Sequence, residues 1–120
     1  MTEDSSTFRD LTQGVSARLA TLRSGAPDVM KCFSELGRAA MTDGALTKKT
    51  KELMALALGV AAHCHPCIEC HMQTLVKLGA TRKKLDGTLG VAVYMGGGLS
   101  LMYAANAIAA FEEFSRPPPT

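Results

Sequence analysis

Apolar residues recur along the chain at steps of three and four, the spacing of a helix with one buried face. Phe8, Leu11, Val15, Leu19 and Leu22 make one such series, and Gly25 stops it. Pro27 can open a second helix, because the N–H it lacks is unpaired in a first turn anyway. Val29, Phe33, Leu36 and Ala40 are its stripe, with Gly44 as its stop. Thr47 is placed to cap a third helix carrying Leu53, Leu56, Val60 and Ala61. A fourth runs from about Pro66 to Leu78 and stops at Gly79. Thr81 caps a fifth that ends at Gly96, Gly97 and Gly98, and a sixth spans Leu99 to Phe114. No run alternates with period two, so the pattern predicts six helices and no sheet.

The expected architecture is therefore all-α, with residues 1–120 as one domain, a core over about 8–115, and frayed ends at Met1 to Ser5 and Arg116 to Thr120. The third helix is apolar nearly all round after Glu52. The sixth is rich in small apolar residues, among them Ala104, Ala105, Ala107, Ala109 and Ala110. Helices of that kind need cover on every side. Two central core helices would meet that need, and so would contact between subunits.

Composition narrows the function. The 120 residues carry 13 Lys+Arg against 11 Asp+Glu, and 47% are apolar. That balance excludes a disordered tail. Its basic runs stop at Lys48–Lys49 and Arg82 to Lys84, which argues against nucleic-acid binding. With no Trp and six Tyr plus Phe, base-stacking platforms are also disfavoured. No apolar run is long enough to span a membrane, and the first ten residues lack a basic-then-apolar signal. The chain reads as a cytoplasmic protein without membrane or nucleic-acid partners.

The candidate chemistry is concentrated. Cys64, Cys67 and Cys70 lie with His63, His65 and His71 in nine consecutive residues, six of the chain's seven Cys and His. Scattered evenly, seven such residues would place about 0.5 in a window of that size, and Cys–His clusters mark chemistry. Pro66 favours a helix's first turn, so Cys64 and Cys67 straddle a helix N-terminus, where free N–H groups and the macrodipole favour a thiolate. With Cys64 at zero on a continuous helix, Cys67 falls at about −60° and His71 at about −20°. These three share a face, while Cys70 and His65 diverge from it by about 120° and 100° in opposite senses. A thiol pair with an imidazole one turn below suits thiol redox chemistry, His71 taking or relaying a thiol proton.

Other readings of the cluster stand beside that one. Zinc would need four ligands, and only Cys32 lies outside the cluster to complete a separated pair. Cys67 to His71 also spells the Cys-x-x-Cys-His of haem attachment, which ordinarily requires export. An iron–sulfur cluster lacks a fourth thiolate at a suitable spacing. Buried cysteines can simply pack as small hydrophobes. The reading adopted needs no metal and no cofactor.

From Leu46 to Phe114 the chain resembles the carboxymuconolactone decarboxylase superfamily, in its alkylhydroperoxidase D-like branch. The resemblance is carried by Leu46 to Leu53, by Ala61 to Cys67 with His71, by Leu78 to Thr81, and by Tyr94 to Gly98. That branch spaces a Glu, eleven residues, Cys-x-x-Cys, three residues and a His, and Glu52, Cys64, Cys67 and His71 are in that register. The resemblance implies an all-α fold, a homotrimer or homohexamer, and reduction of hydroperoxides by the dithiol. In that scheme Cys67 attacks the peroxide, Cys64 resolves the sulfenic acid to a disulfide, and His71 passes the thiol proton toward Glu52. A dithiol reductant, protein or lipoyl-type, then restores the thiols. The helix dipole alone would favour Cys64 as the attacking thiolate. Some members carry a His directly before the second cysteine, where this chain has Pro66, with His65 one place earlier. A decarboxylase of the carboxymuconolactone type, which generally lacks the cysteine pair, and a non-enzymatic zinc or redox-sensing module are the alternative functions.

Overall fold

The computed structural model describes residues 7–118 and places six helices among them. They are α1 (Phe8–Gly25), α2 (Pro27–Met41), α3 (Lys48–Ala61), α4 (His65–Lys77), α5 (Arg82–Gly96) and α6 (Gly98–Ser115). Met1 to Ser5, read as a frayed end, lie outside the described residues, as do the last two residues of the C-terminal tail. Arg116 to Pro118 are non-helical.

Side-chain caps set several helix starts, two of them at the expected threonines. Thr47 and Thr81 accept hydrogen bonds from the backbone N–H groups of Thr50 and Lys84, and Thr7 forms a reciprocal capping box with Asp10. Gly79, at φ +78°, closes α4 with Ala80 N–H donating to the Leu75 carbonyl. Two ends differ from the pattern. α2 stops at Met41, because Thr42 turns extended and the Asp43 carboxylate takes a 2.6 Å hydrogen bond from Lys48 N–H, binding the linker to the start of α3. Gly98 belongs to α6, so the glycine run contributes one hinge residue, Gly97 at φ +80°, between α5 and α6. Gly96 beside it has no room for a side chain, since a Cβ there would collide with Ser100.

α3 packs against α4 and α5, and α6 lies against the same two helices, making a four-helix body. Its core is Leu56 and Val60 from α3, Ile68, Met72 and Leu75 from α4, Leu85 and Leu89 from α5, and Ala104, Ala107, Ala110 and Phe114 from α6. The α6 alanines have no bulk to hold the neighbouring helices apart, which lets α6 settle closely onto the body. α1 docks on α4 and α6. Its first turn is held by the Glu113 carboxylate, which accepts the Phe8 and Arg9 N–H groups at 2.9 Å each, while Arg9 pairs with the same carboxylate.

α2 buries no residue. Val29, Phe33 and Leu36 are 67%, 68% and 64% exposed, although they form a regular apolar stripe. The radius of gyration, 15.1 Å, exceeds the roughly 13–14 Å of a compact chain this long, as a projecting α2 requires. The helices read as apolar all round are likewise not covered all round. Met54 and Leu58 of α3, and Leu99, Leu101 and Met102 of α6, remain at least half exposed. No described helix is long and apolar enough to cross a membrane.

Candidate functional site

The site forms where α3 ends and α4 begins. The turn between them is tight. Cys64 N–H donates to the Gly59 carbonyl and His63 N–H to that of Val60, which puts His63 at φ +57° in the left-handed region. That conformation is unfavourable for a residue with a side chain and persists only where the surroundings hold it. Two contacts hold His63. Its Nε2 shares a 3.3 Å hydrogen bond with the fully buried Ser100 hydroxyl, and its ring stacks on Tyr103 with centroids 4.9 Å apart. The next histidine, His65, lies against the same Tyr103 ring at 4.7 Å. The residues on both sides of Cys64 therefore lean on one aromatic ring of α6.

Cys64 itself is the N-cap of α4, its sulfur accepting from Cys67 N–H at 3.3 Å, and Pro66 occupies the first turn as its ring predicts. Cys64 and Cys67 are joined as a disulfide across a Cα–Cα distance of 5.3 Å. Cys67 is exposed and Cys64 half-buried. Gly59 admits this geometry, because a Cβ there would stand 3.3 Å from the Cys67 Cβ.

On the same side of α4, His71 Nδ1 lies 2.6 Å from Glu52 Oε2 of α3. Glu52 is only 5% exposed, so it is not the water-facing residue that an early helical Glu usually is. A buried carboxylate needs a partner, and Glu52 has one in His71. Glu52 accepting from Nδ1–H leaves the half-exposed imidazole with Nε2 free. The structure thus joins Cys64 to Cys67 and His71 to Glu52. Among the described residues no hydrogen bond links His71 to either sulfur. Neither sulfur of a disulfide has a proton to donate.

The other cluster members separate as the helical angles predict. Cys70 carries a free thiol, and its pKa is pushed up by burial and by nearby Glu69. Glu69 is 3% exposed, with His65 Nδ1 3.7 Å away. Burial raises its pKa, the His65 side chain opposes that rise, and Glu113 adds to it. Among the described residues no three His, Cys, Asp or Glu side chains converge as a metal set. Ser100, Tyr103 and Glu69 are neighbours of the site that the sequence reading did not pick out. The i,i+4 spacing of His65 and Glu69 was visible in the sequence, whereas Ser100 and Tyr103 arrive through the packing of α6.

The sequence model of the carboxymuconolactone decarboxylase family matches residues 27–110. The fold is similar to a solved carboxymuconolactone decarboxylase family protein from Legionella pneumophila in its apo form. That protein is 59% identical, with a TM-score of 0.89 over 91% of this chain and 97% of its own. A Thermotoga maritima member, for which a part in the antioxidative response has been suggested, is 28% identical at a TM-score of 0.77. The match covers 85% of this chain and 87% of that one. An uncharacterised protein of Cupriavidus necator is 36% identical over 82% of this chain and 87% of its own length.

Proposed function

Because this chain belongs to the carboxymuconolactone decarboxylase family, we propose that it is a thiol-dependent peroxidase of the alkylhydroperoxidase-like kind. The observation that carries the reading is the Cys64–Cys67 disulfide at the start of the same helix whose next turn offers His71, backed by buried Glu52. Decarboxylation has no use for a redox pair, and the antioxidative role suggested for the Thermotoga relative points toward thiol chemistry.

The proposed cycle balances as follows. With both thiols reduced, His71 Nε2 takes the Cys67 proton, and the Glu52 carboxylate stabilises the imidazolium through Nδ1–H. The Cys67 thiolate attacks the terminal peroxide oxygen. An S–O bond forms, the O–O bond breaks, and the leaving alkoxide departs as an alcohol with the proton from His71. Cys64 then attacks the sulfenic sulfur and expels hydroxide, which leaves as water with the Cys64 proton. Two electrons pass from the dithiol to the peroxide. A further dithiol, on a protein or of lipoyl type, must return them by exchange through a mixed disulfide.

Titrating the reduced protein with one equivalent of hydroperoxide should remove two thiols per chain, and peptide mapping should recover Cys64 linked to Cys67. A dithiol reductant should reverse the change. Linkage through Cys70, or no loss of thiols, would dismiss the dithiol assignment.

We also infer that the protein works as a homo-oligomer, a trimer or a hexamer. The support is the apolar surface that one chain leaves open on α2, α3, α5 and α6. Covering each large side chain contributes about 1.5–3 kcal/mol, so this surface favours association. Light scattering at low micromolar concentration should give a multiple of the chain mass, and a value of 12.7 kDa would refute the inference.

A further inference from the structure

The face of α4 turned away from Glu52 borders an open cavity of about 580 Å³ between α1, α4 and α6. The volume suits a small organic molecule. Phe8, Leu11 and Val15 of α1 line it together with Pro66 of α4, so much of its wall is apolar. Five polar side chains line it as well, Asp10, Arg18, His65, Glu69 and Asn106, and among the described residues neither Glu69 nor Asn106 makes a side-chain hydrogen bond. Glu69 is 3% exposed, and the His65 imidazole is beyond hydrogen-bond reach at 3.7 Å. Its oxygens keep a small contact with the space of the cavity, because among the described residues no side-chain oxygen or nitrogen is both fully buried and unpaired, and a donor placed there would meet an acceptor with no competing partner. Burial raises its pKa, with the His65 side chain opposing that rise and Glu113 adding to it. The cavity also abuts the reactive turn, for Pro66 and His65 stand between Cys64 and Cys67 in the chain.

We propose that this cavity binds a small organic molecule with an apolar body and one O–H or N–H group, that Glu69 accepts the hydrogen bond of that group, and that the occupant is the peroxide on its way to the dithiol. The apolar body rests on Phe8, Leu11 and Val15, and Asn106 supplies a second polar contact for the head. An organic hydroperoxide has both features in one molecule, whereas hydrogen peroxide has no body to place. Only the assignment of the occupant as reaction partner rests on the peroxidase reading. The binding site itself does not.

Two probes without oxidising power test the site on the disulfide form of the full chain. Cumyl alcohol has the apolar body and an O–H donor, and cumene has the body alone. Cumyl alcohol should perturb the NMR signals of Leu11, Val15 and Glu69 and bind about fivefold to tenfold tighter than cumene, the worth of one hydrogen bond. In Glu69→Leu the two probes should bind alike. Absence of perturbation up to the probe's solubility, or equal binding of both probes by the unaltered protein, would overturn the site. Leu11→Arg sets a charge in the cavity, and Gly14→Leu fills it from a helical position where a Cβ meets only the end of the Arg18 side chain at 3.4 Å. The second substitution also removes a helix-weakening glycine, which secures folding. In both variants the ratio of oxidation rates by cumene hydroperoxide and hydrogen peroxide should fall about tenfold. An unchanged ratio in variants that no longer bind cumyl alcohol would remove the peroxide as occupant. If no peroxide oxidises even the unaltered protein, the peroxidase reading falls, and the two probes still decide the cavity.

Discussion

Cys67→Ser is expected to end peroxide consumption altogether, while Cys64→Ser should still consume one equivalent and stop. The asymmetry follows from the proposed order of events. The attacking sulfur makes the first bond to oxygen, and without it no electron leaves the protein. Without the resolving sulfur the first event proceeds, and Cys67 is left as a sulfenic acid that a dimedone-type reagent can trap. The geometry alone does not choose Cys67. Cys64 is the N-cap of α4 and sits among its free N–H groups, which favours a thiolate there. Two other features favour Cys67. It is the more exposed of the pair, and it stands four residues before His71, the separation at which helical side chains meet. Exposure decides which sulfur a peroxide reaches, and the imidazole decides which one loses its proton on demand. Mass analysis after one equivalent of peroxide distinguishes the two orders. A sulfenic acid trapped on Cys64 in Cys67→Ser, with an inert Cys64→Ser, would reverse the roles and make the helix dipole the dominant influence.

Much of this site could be read from spacing because it is local. Cys64, Cys67 and His71 are brought onto one side of α4 by the helical period alone, and Thr47 and Thr81 mark helix starts by chemistry that needs no distant partner. Glu52 is different. Nothing in its own helix distinguishes it from a solvated first-turn carboxylate. Its register with the cysteines, known from the family resemblance, singled it out before any packing was known. Tyr103 and Ser100 had no such signal, since which α6 side chains meet the α3–α4 turn depends on how α6 crosses the body. The end of α2 was misplaced for a related reason. Gly44 is a stop residue by type, but Asp43 bonding to the start of α3 pulls the chain out of the helix sooner. The apolar character of α3 and α6 was read correctly, and the demand for cover on every side was not met within one chain.

Glu52→Gln is expected to slow the peroxide reaction by about 10²–10⁴-fold, the usual worth of general base catalysis. The substitution keeps the shape of the side chain and an oxygen that can accept from His71 Nδ1–H, so the 2.6 Å contact has a neutral substitute. What it removes is the charge. With the carboxylate present, an imidazolium formed by taking the Cys67 proton is stabilised across a short, buried hydrogen bond. With the amide it is not, so His71 becomes a weaker base and the thiolate fraction at neutral pH drops. Raising the pH toward the free thiol value of about 8.5 should restore much of the rate, because hydroxide then makes the thiolate without help from the imidazole. A purely structural role for Glu52 makes a different forecast. Exchanging a buried carboxylate that His71 partners would change the melting temperature but leave the shape of the pH–rate profile as it was. Measuring both quantities on one preparation separates the cases. A profile that overlays that of the unaltered protein would take Glu52 out of the proton path and leave Cys64, Cys67 and His71 to carry the chemistry.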